Sequence, residues 1–180
     1  ERSDVTEGQA GMKLRLCVRL MRQGDCTPIS YAKVYVWSAN ALGAYSGWDA
    51  RKKRSTPTTN TRYLRGFQYT NTKGIACFQT IYPGWYPGRT PHIHVEVQID
   101  QNYVYISQLF YSDRQSNDIY RTSPYNQHTG SGRTYNRQDQ YYNEVQGTTQ
   151  MNAIPYGTGL YSAITLGIDE NNESQQKWQE

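Results

Sequence analysis

Two histidines stand one residue apart in Thr90-Pro91-His92-Ile93-His94, just after a tyrosine-bearing turn, Tyr82-Pro83-Gly84-Trp85-Tyr86-Pro87-Gly88-Arg89. In an extended strand alternate side chains share a face, so His92 and His94 lie together while Ile93, Val95, Val97 and Ile99 line the other side. An apolar row against a core, with paired imidazoles facing outward, is how a sheet holds two metal ligands rigidly. Two imidazoles do not complete a site, and on a wet face they need no metal at all. Glu96 continues the histidine face but lies ~6–7 Å further along the strand, where a solvated glutamate is the ordinary role. Phenolate is a better complement. It is a hard anionic donor, and trivalent iron lowers the phenol pKa enough to keep it deprotonated. Tyr86 is placed to supply one phenolate, and a second must come from elsewhere in the chain. Zinc or copper held by the histidines alone, indifferent to the tyrosines, is the competing metal reading.

The 180 residues suit one domain with a core of its own. The formal charge of +4 is mixed in sign apart from Arg51-Lys52-Lys53-Arg54. That cluster sits among Ser, Thr, Pro and Asn with no aromatic stacking pattern, so it reads as a solvated loop and nucleic acid is not an expected partner. No apolar run approaches the roughly 20 residues that span a bilayer, so no membrane partner is expected. The 17 tyrosines against three phenylalanines fit half-buried pleated surfaces, where the ring packs and the hydroxyl stays wet. Cys17, Cys26 and Cys77 show no Cys-x-x-Cys spacing, which argues against a thiolate zinc site. They allow one disulfide and one leftover thiol, with the pairing open. Asn172-Glu173-Ser174 is a formal glycosylation acceptor.

Strand signals recur along the chain and sustained helical periodicity does not. Lys13 to Leu20, Lys33 to Trp37, Tyr63 to Thr70, Ile75 to Thr80, His92 to Ile99, Tyr103 to Tyr111 and Tyr161 to Ile168 are short segments bounded by turn formers. Asn71-Thr72-Lys73-Gly74 and Asp100-Gln101-Asn102 read as hairpin turns joining neighbouring strands. The expectation is an all-β fold, a two-sheet antiparallel β-sandwich with long active-site loops. Those loops, Ser38 to Arg62 and Ser112 to Tyr156, are expected to build the site around the histidine strand. The catalytic domain is expected over residues 1–170, with a polar tail over 171–180.

Val36-Trp37-Ser38-Ala39-Asn40-Ala41-Leu42-Gly43-Ala44-Tyr45-Ser46-Gly47, Tyr63-Leu64-Arg65-Gly66 and the segment from Tyr82 to His94 resemble intradiol ring-cleavage dioxygenases. That family includes catechol 1,2- and protocatechuate 3,4-dioxygenases. The likeness runs from Ser3-Asp4-Val5-Thr6-Glu7-Gly8-Gln9 through Ser107-Gln108-Leu109-Phe110 and Ser123-Pro124-Tyr125 to Thr165-Leu166-Gly167. The resemblance implies a non-haem Fe(III) held by Tyr45, Tyr86, His92 and His94. It implies insertion of both atoms of O2 into a catecholic or polyphenolic small molecule, cleaving between the hydroxylated carbons to give a muconate-type diacid. Tyr86 matches the tyrosine that yields its place to the catechol and takes a proton, Arg89 the arginine that stabilises the activated substrate, and Gln108 a glutamine of the same pocket. Gln108 is also the polar exception on a strand row with Val104, Ile106 and Phe110, as befits a buried amide with a partner. Tyr82 takes a packing role in this register, with its hydroxyl at the surface or in a hydrogen bond. Trp85 and Leu42 are expected to shape the aromatic pocket.

Ser38 stands where secreted-type relatives carry Cys or His, which puts a disulfide for Cys26 in doubt. The long helical amino-terminal region through which catechol 1,2-dioxygenases dimerise is missing, so a monomer is expected. Small one-domain relatives are secreted, which implies an extracellular location. The start at Glu1, without an initiator methionine, is compatible with a removed leader. No carboxylate-binding pair stands out beyond Arg89, so simple or alkylated catechols and larger polyphenols are expected ahead of protocatechuate. The alternative from another class is a non-catalytic β-sandwich module that binds aromatic or carbohydrate ligands through exposed tyrosines and tryptophans.

Overall fold

Alternation in Lys13–Arg22 (β1) buries Leu14, Leu16, Val18 and Leu20 almost completely, while Lys13, Arg15 and Arg19 stay in water. The structure is a computed structural model and describes residues 1–47, 60–129 and 132–172. The remaining strands are Lys33–Ser38 (β2), Arg65–Tyr69 (β3), Ile75–Ile81 (β4), His92–Ile99 (β5), Asn102–Tyr111 (β6), Gln150–Met151 (β7), Ala153–Tyr156 (β8) and Gly159–Ile168 (β9). Two short helices, Asp113–Ile119 (α1) and Gln140–Glu144 (α2), fall between β6 and β7.

The strands form two sheets, ordered β4-β1-β9-β8 and β3-β2-β5-β6-β7. The β1 row meets Val34, Val36, Ile93, Val95, Val97 and Leu109 of the second sheet in one buried cluster. The sandwich is as expected, but its sheets are mixed rather than antiparallel, because β1 runs parallel to β9 and β6 parallel to β7. A parallel pair needs a long crossover, and both have one. Most of the chain separates β1 from β9, and both helices lie between β6 and β7.

The expected turns part company. Asp100 and Gln101, at φ 48° and 70°, close the β5–β6 hairpin. Asn71 also makes a turn, its Oδ1 accepting from Lys73 N at 2.9 Å and Ile75 N at 3.1 Å. That turn, however, carries the chain between sheets, since β3 pairs with β2 and β4 with β1. The stretch Ser112 to Tyr156 is less irregular than expected, because it holds α1, α2, β7 and β8. Ser112 starts α1 by accepting from Gln115 N at 3.3 Å. Arg51 to Arg54, Glu173 and Ser174 of the glycosylation acceptor, and the tail past Asn172 lie outside the described residues. Among the described residues no helix is long and apolar enough to cross a membrane.

Cys17 and Cys77 oppose one another across β1 and β4 and form a disulfide, while Cys26 is free and exposed. The bridge spans 60 residues of sequence. Cys17→Ala/Cys77→Ala is expected to lose about 2–4 kcal/mol of stability in urea denaturation, and reductant should have the same effect on the parent chain.

Candidate active site

The outer face of the second sheet carries the chemistry. Strand register sets Trp37 of β2 opposite His94 of β5, which stands opposite Gln108 of β6. His92 pairs with Phe110 at the end of the sheet. Both histidines are buried, at 2% and 7% exposure, so the outward face is covered rather than wet. The Trp37 ring lies parallel to His94 at 4.5 Å and fixes its plane. The Nδ1–H of His92 donates to Thr90 O at 2.7 Å, which leaves its Nε2 lone pair facing the interior of the site.

Three groups compete for that lone pair. Tyr45 hydroxyl lies 3.1 Å from His92 Nε2, His94 Nε2 lies 3.1 Å from it, and Tyr86 hydroxyl 3.3 Å. Tyr45 hydroxyl is also 3.2 Å from His94 Nε2. One lone pair accepts one hydrogen bond, so the point is oversubscribed by hydrogen bonding alone. Atoms bound at about 2.1 Å to a shared cation sit about 3 Å apart, and these four contacts, at 3.1–3.3 Å, have that spacing. Among the described residues no group of three or more His, Cys, Asp or Glu side chains forms a metal site. The cluster instead joins two imidazoles to two phenols, whose hard phenolate oxygens suit a trivalent ion. The tyrosines form the partly open rim and the histidines the buried floor.

Burial first, and then the Arg89 charge, push His92 down to about 3, and burial with neighbouring His92 and Arg89 holds His94 well below the usual imidazole range. Both imidazoles are therefore neutral at pH 7. Burial raises Tyr86 above the ordinary phenol value despite Arg89, so the free phenol keeps its proton and only a nearby cation would remove it. The folded imidazoles bind protons less readily than the unfolded ones. Their contribution to stability is complete above about pH 6.5 and is lost as pH falls through that value toward the folded one. Asp139 acts in the same direction. Burial opposes its ionisation, but hydrogen bonds from Arg89 and Thr90 outweigh it and hold the carboxyl below its usual range. The urea midpoint of chelator-treated protein is expected to fall below about pH 6.5, with a ceiling of about 1.4 kcal/mol per pH unit for each imidazole.

Arg89 is braced on three sides. Its Nε donates to Asp139 Oδ2 at 2.8 Å, its Nη2 donates to Gln108 Oε1, and its guanidinium lies 4.3 Å over the Tyr141 ring. Asp139 also accepts from Thr90 N at 2.8 Å and caps α2. Gln108 is 2% exposed, and its Nε2 has no protein partner among the described residues. The register slips beside Val97, where Val104 becomes the extra residue of a bulge and joins the core. Val104 therefore leaves the row that Gln108 shares with Ile106 and Phe110.

Tyr45, Tyr86, His92 and His94 are thus brought together, with Arg89 and Gln108 beside them. Glu96 accepts from Gln98 Nε2 at 2.8 Å and stays apart from the cluster. Tyr82 packs as expected, fully buried, its hydroxyl 2.8 Å from Ser116 Oγ. Leu42 is exposed, and Trp85 stacks on His128. Asp139 and Tyr141 escaped sequence reasoning. The available signal was an aspartate ahead of a short polar helix, a cap pattern that marks α2 but says nothing of Arg89.

No protein-family model matches the chain, and no curated protein sequence does. Solved structures do match. The fold is similar to that of an intradiol ring-cleavage dioxygenase from Tetranychus urticae, at 36% identity over 97% of this chain and 89% of that one, with a TM-score of 0.89. The chain belongs to the intradiol ring-cleavage dioxygenases, oxidoreductases that incorporate two oxygen atoms. The dioxygenase domain of a dioxygenase and carbohydrate-binding fusion from Streptomyces sp. SirexAA-E is 25% identical, over 93% of this chain and 87% of that one, with a TM-score of 0.67. Catechol 1,2-dioxygenase from Acinetobacter sp. ADP1 shares the fold at 18% identity and a TM-score of 0.66, over 96% of this chain and 59% of that one. Family membership removes the non-catalytic module from consideration.

Proposed function

We propose that the chain is an Fe(III)-dependent intradiol dioxygenase of catechol-type aromatics, with Tyr45, Tyr86, His92 and His94 holding the iron. The carrying observation is the approach of Tyr45, Tyr86 and His94 to His92 Nε2 at 3.1–3.3 Å. A ferric ion held by these four residues would supply the Lewis acidity that makes a catechol ring reactive toward O2. The side chains do the rest. Tyr86, at the open rim, would accept a catechol proton once the cation has made it a phenolate. Arg89 presents fixed positive charge where electron density builds on the ring, and the free Gln108 Nε2–H donates to a substrate oxygen. The atoms of O2 enter between the two hydroxylated carbons, giving a muconate-type diacid.

The substrate preference follows from Arg89. Its charge is already matched by Asp139, so it is a poor receptor for a second carboxylate. Catechol and alkylcatechols are expected to exceed protocatechuate by at least about 10-fold in kcat/KM, the equivalent of about 1.4 kcal/mol. The Cys17–Cys77 bridge supports secretion, since disulfides persist in oxidising compartments.

The test is the visible spectrum of iron-loaded protein, before and after anaerobic addition of catechol. A phenolate-to-iron band that shifts with catechol is expected. A protein that takes up iron with no band in either state would sink the ligand assignment.

A further inference from the structure

Three contacts from one segment hold the residues leading into Tyr86. Tyr125 hydroxyl donates to Tyr82 O at 2.7 Å, and Tyr120 hydroxyl donates to Pro83 O at 2.7 Å. His128, the one histidine outside the cluster, stacks on the Trp85 ring with centroids 3.9 Å apart and hydrogen-bonds the Trp85 backbone. His128 is itself anchored. It follows the 3-10 turn Tyr125–Gln127, and its N–H donates to O of the buried Tyr125 at 3.1 Å.

The loop carrying Tyr45 meets the same place from the other side. A Cβ at Gly43 would lie 2.2 Å from Trp85 O and 3.1 Å from His128 Nε2, and one at Gly84 would lie 2.0 Å from Asn40 O. The two tyrosine-bearing segments therefore touch backbone to backbone, with the His128 ring at the seam. Beyond Tyr86 the chain makes a turn, in which Arg89 N donates to Tyr86 O at 3.3 Å. Gly88 has a φ of +87° and no atom within 4 Å of where its Cβ would be. Tyr86 thus lies between this clasped flank and the turn that leads into the braced Arg89.

We infer that His128 is a positioning residue, the last point of a clasp that sets where the Tyr86 oxygen stands relative to that of Tyr45. The inference rests on the reading of Tyr86 as an iron ligand. His128 touches no reacting atom and acts through Trp85 and the backbone one residue ahead of Tyr86. His92 and His94 stand on β5, apart from this clasp, so a slack clasp changes the place of the Tyr86 oxygen relative to that of Tyr45.

The test compares parent, His128→Ala and His128→Phe as iron-loaded proteins, following the phenolate-to-iron band and the rate of iron release to a chelator. His128→Ala is expected to shift the band and to release iron about 10-fold faster. His128→Phe, which keeps the stacked ring, is expected to stay near the parent. In a Tyr86→Phe background, His128→Ala should add nothing, since the donor it positions is gone. Should His128→Ala fail to fold, His128→Gln, which lacks the ring, carries the same comparison. A folded His128→Ala with the parent's band and release rate overturns the inference, as does an undiminished effect in the Tyr86→Phe background. If the parent itself shows no phenolate band, the ligand reading fails and takes this inference with it, an outcome distinct from the other two.

Discussion

Tyr45→Phe is expected to lose iron affinity by at least about 100-fold and to bring ring cleavage close to background. The expected size comes from the position of one oxygen. Tyr45 hydroxyl is within 3.2 Å of both imidazole Nε2 atoms, whereas Tyr86 hydroxyl approaches His92 at 3.3 Å. Its removal takes away one of two anionic donors and leaves a trivalent ion with a single phenolate. Phenylalanine keeps the edge contacts of the ring with Tyr86 at 5.6 Å and His94 at 5.9 Å, so folding is expected to change by less than about 1 kcal/mol. Loss of metal with stability kept distinguishes a ligand from a packing residue. Metal content after dialysis, chelator competition and a thermal melt together check it. A Tyr45→Phe protein that retains one iron per chain would remove Tyr45 from the ligand set.

The parts of this site that were legible in the sequence are those encoded within a few residues. His92-x-His94 declares its strand and its shared face by alternation alone, and β5 runs from His92 to Ile99 as expected. Tyr86 and Arg89 belong to the same short segment. Gln108 announced itself as a polar interruption of an apolar row, although the bulge at Val104 changes the membership of that row. What stayed hidden depends on distance along the chain. Asp139 is 50 residues from Arg89, in a stretch with no periodicity, and only tertiary structure makes it the partner. The Asn71 turn has ordinary hairpin chemistry, and nothing local says that the strands it joins belong to different sheets. The parallel β1–β9 pairing and the Cys17–Cys77 bridge depend in the same way on which strands become neighbours. Tyr45 was recoverable only through family resemblance, because a tyrosine in a loop carries no periodic signal.

Arg89→Met is expected to damage both folding and turnover, and its partner separates the two effects. Removing the guanidinium leaves the fully buried Asp139 carboxylate without its counter-charge, a loss of about 3–5 kcal/mol for a broken buried pair. The backbone N–H groups of Thr90, Tyr141 and Tyr142 remain at 2.8, 2.9 and 3.2 Å and hold the cost near the lower end, about 3 kcal/mol. Turnover is expected to fall by about 10²–10³-fold, the usual effect of losing one preorganised charge aimed at developing density. Asp139→Asn keeps the shape and most of the cap but removes the charge that aims Arg89. Its kcat is expected to fall less, by about 10-fold, since Gln108 and the Tyr141 ring still brace the guanidinium. The decisive comparison is the double variant. Once Asp139 is neutral, no unpaired charge is buried, so Arg89→Met/Asp139→Asn should be more stable than Arg89→Met alone while remaining at least as slow. Urea denaturation and steady-state kinetics on the three proteins give the answer. Strictly additive destabilisation would mean that Asp139 serves Arg89 through geometry and the α2 cap, with its charge satisfied by the backbone alone.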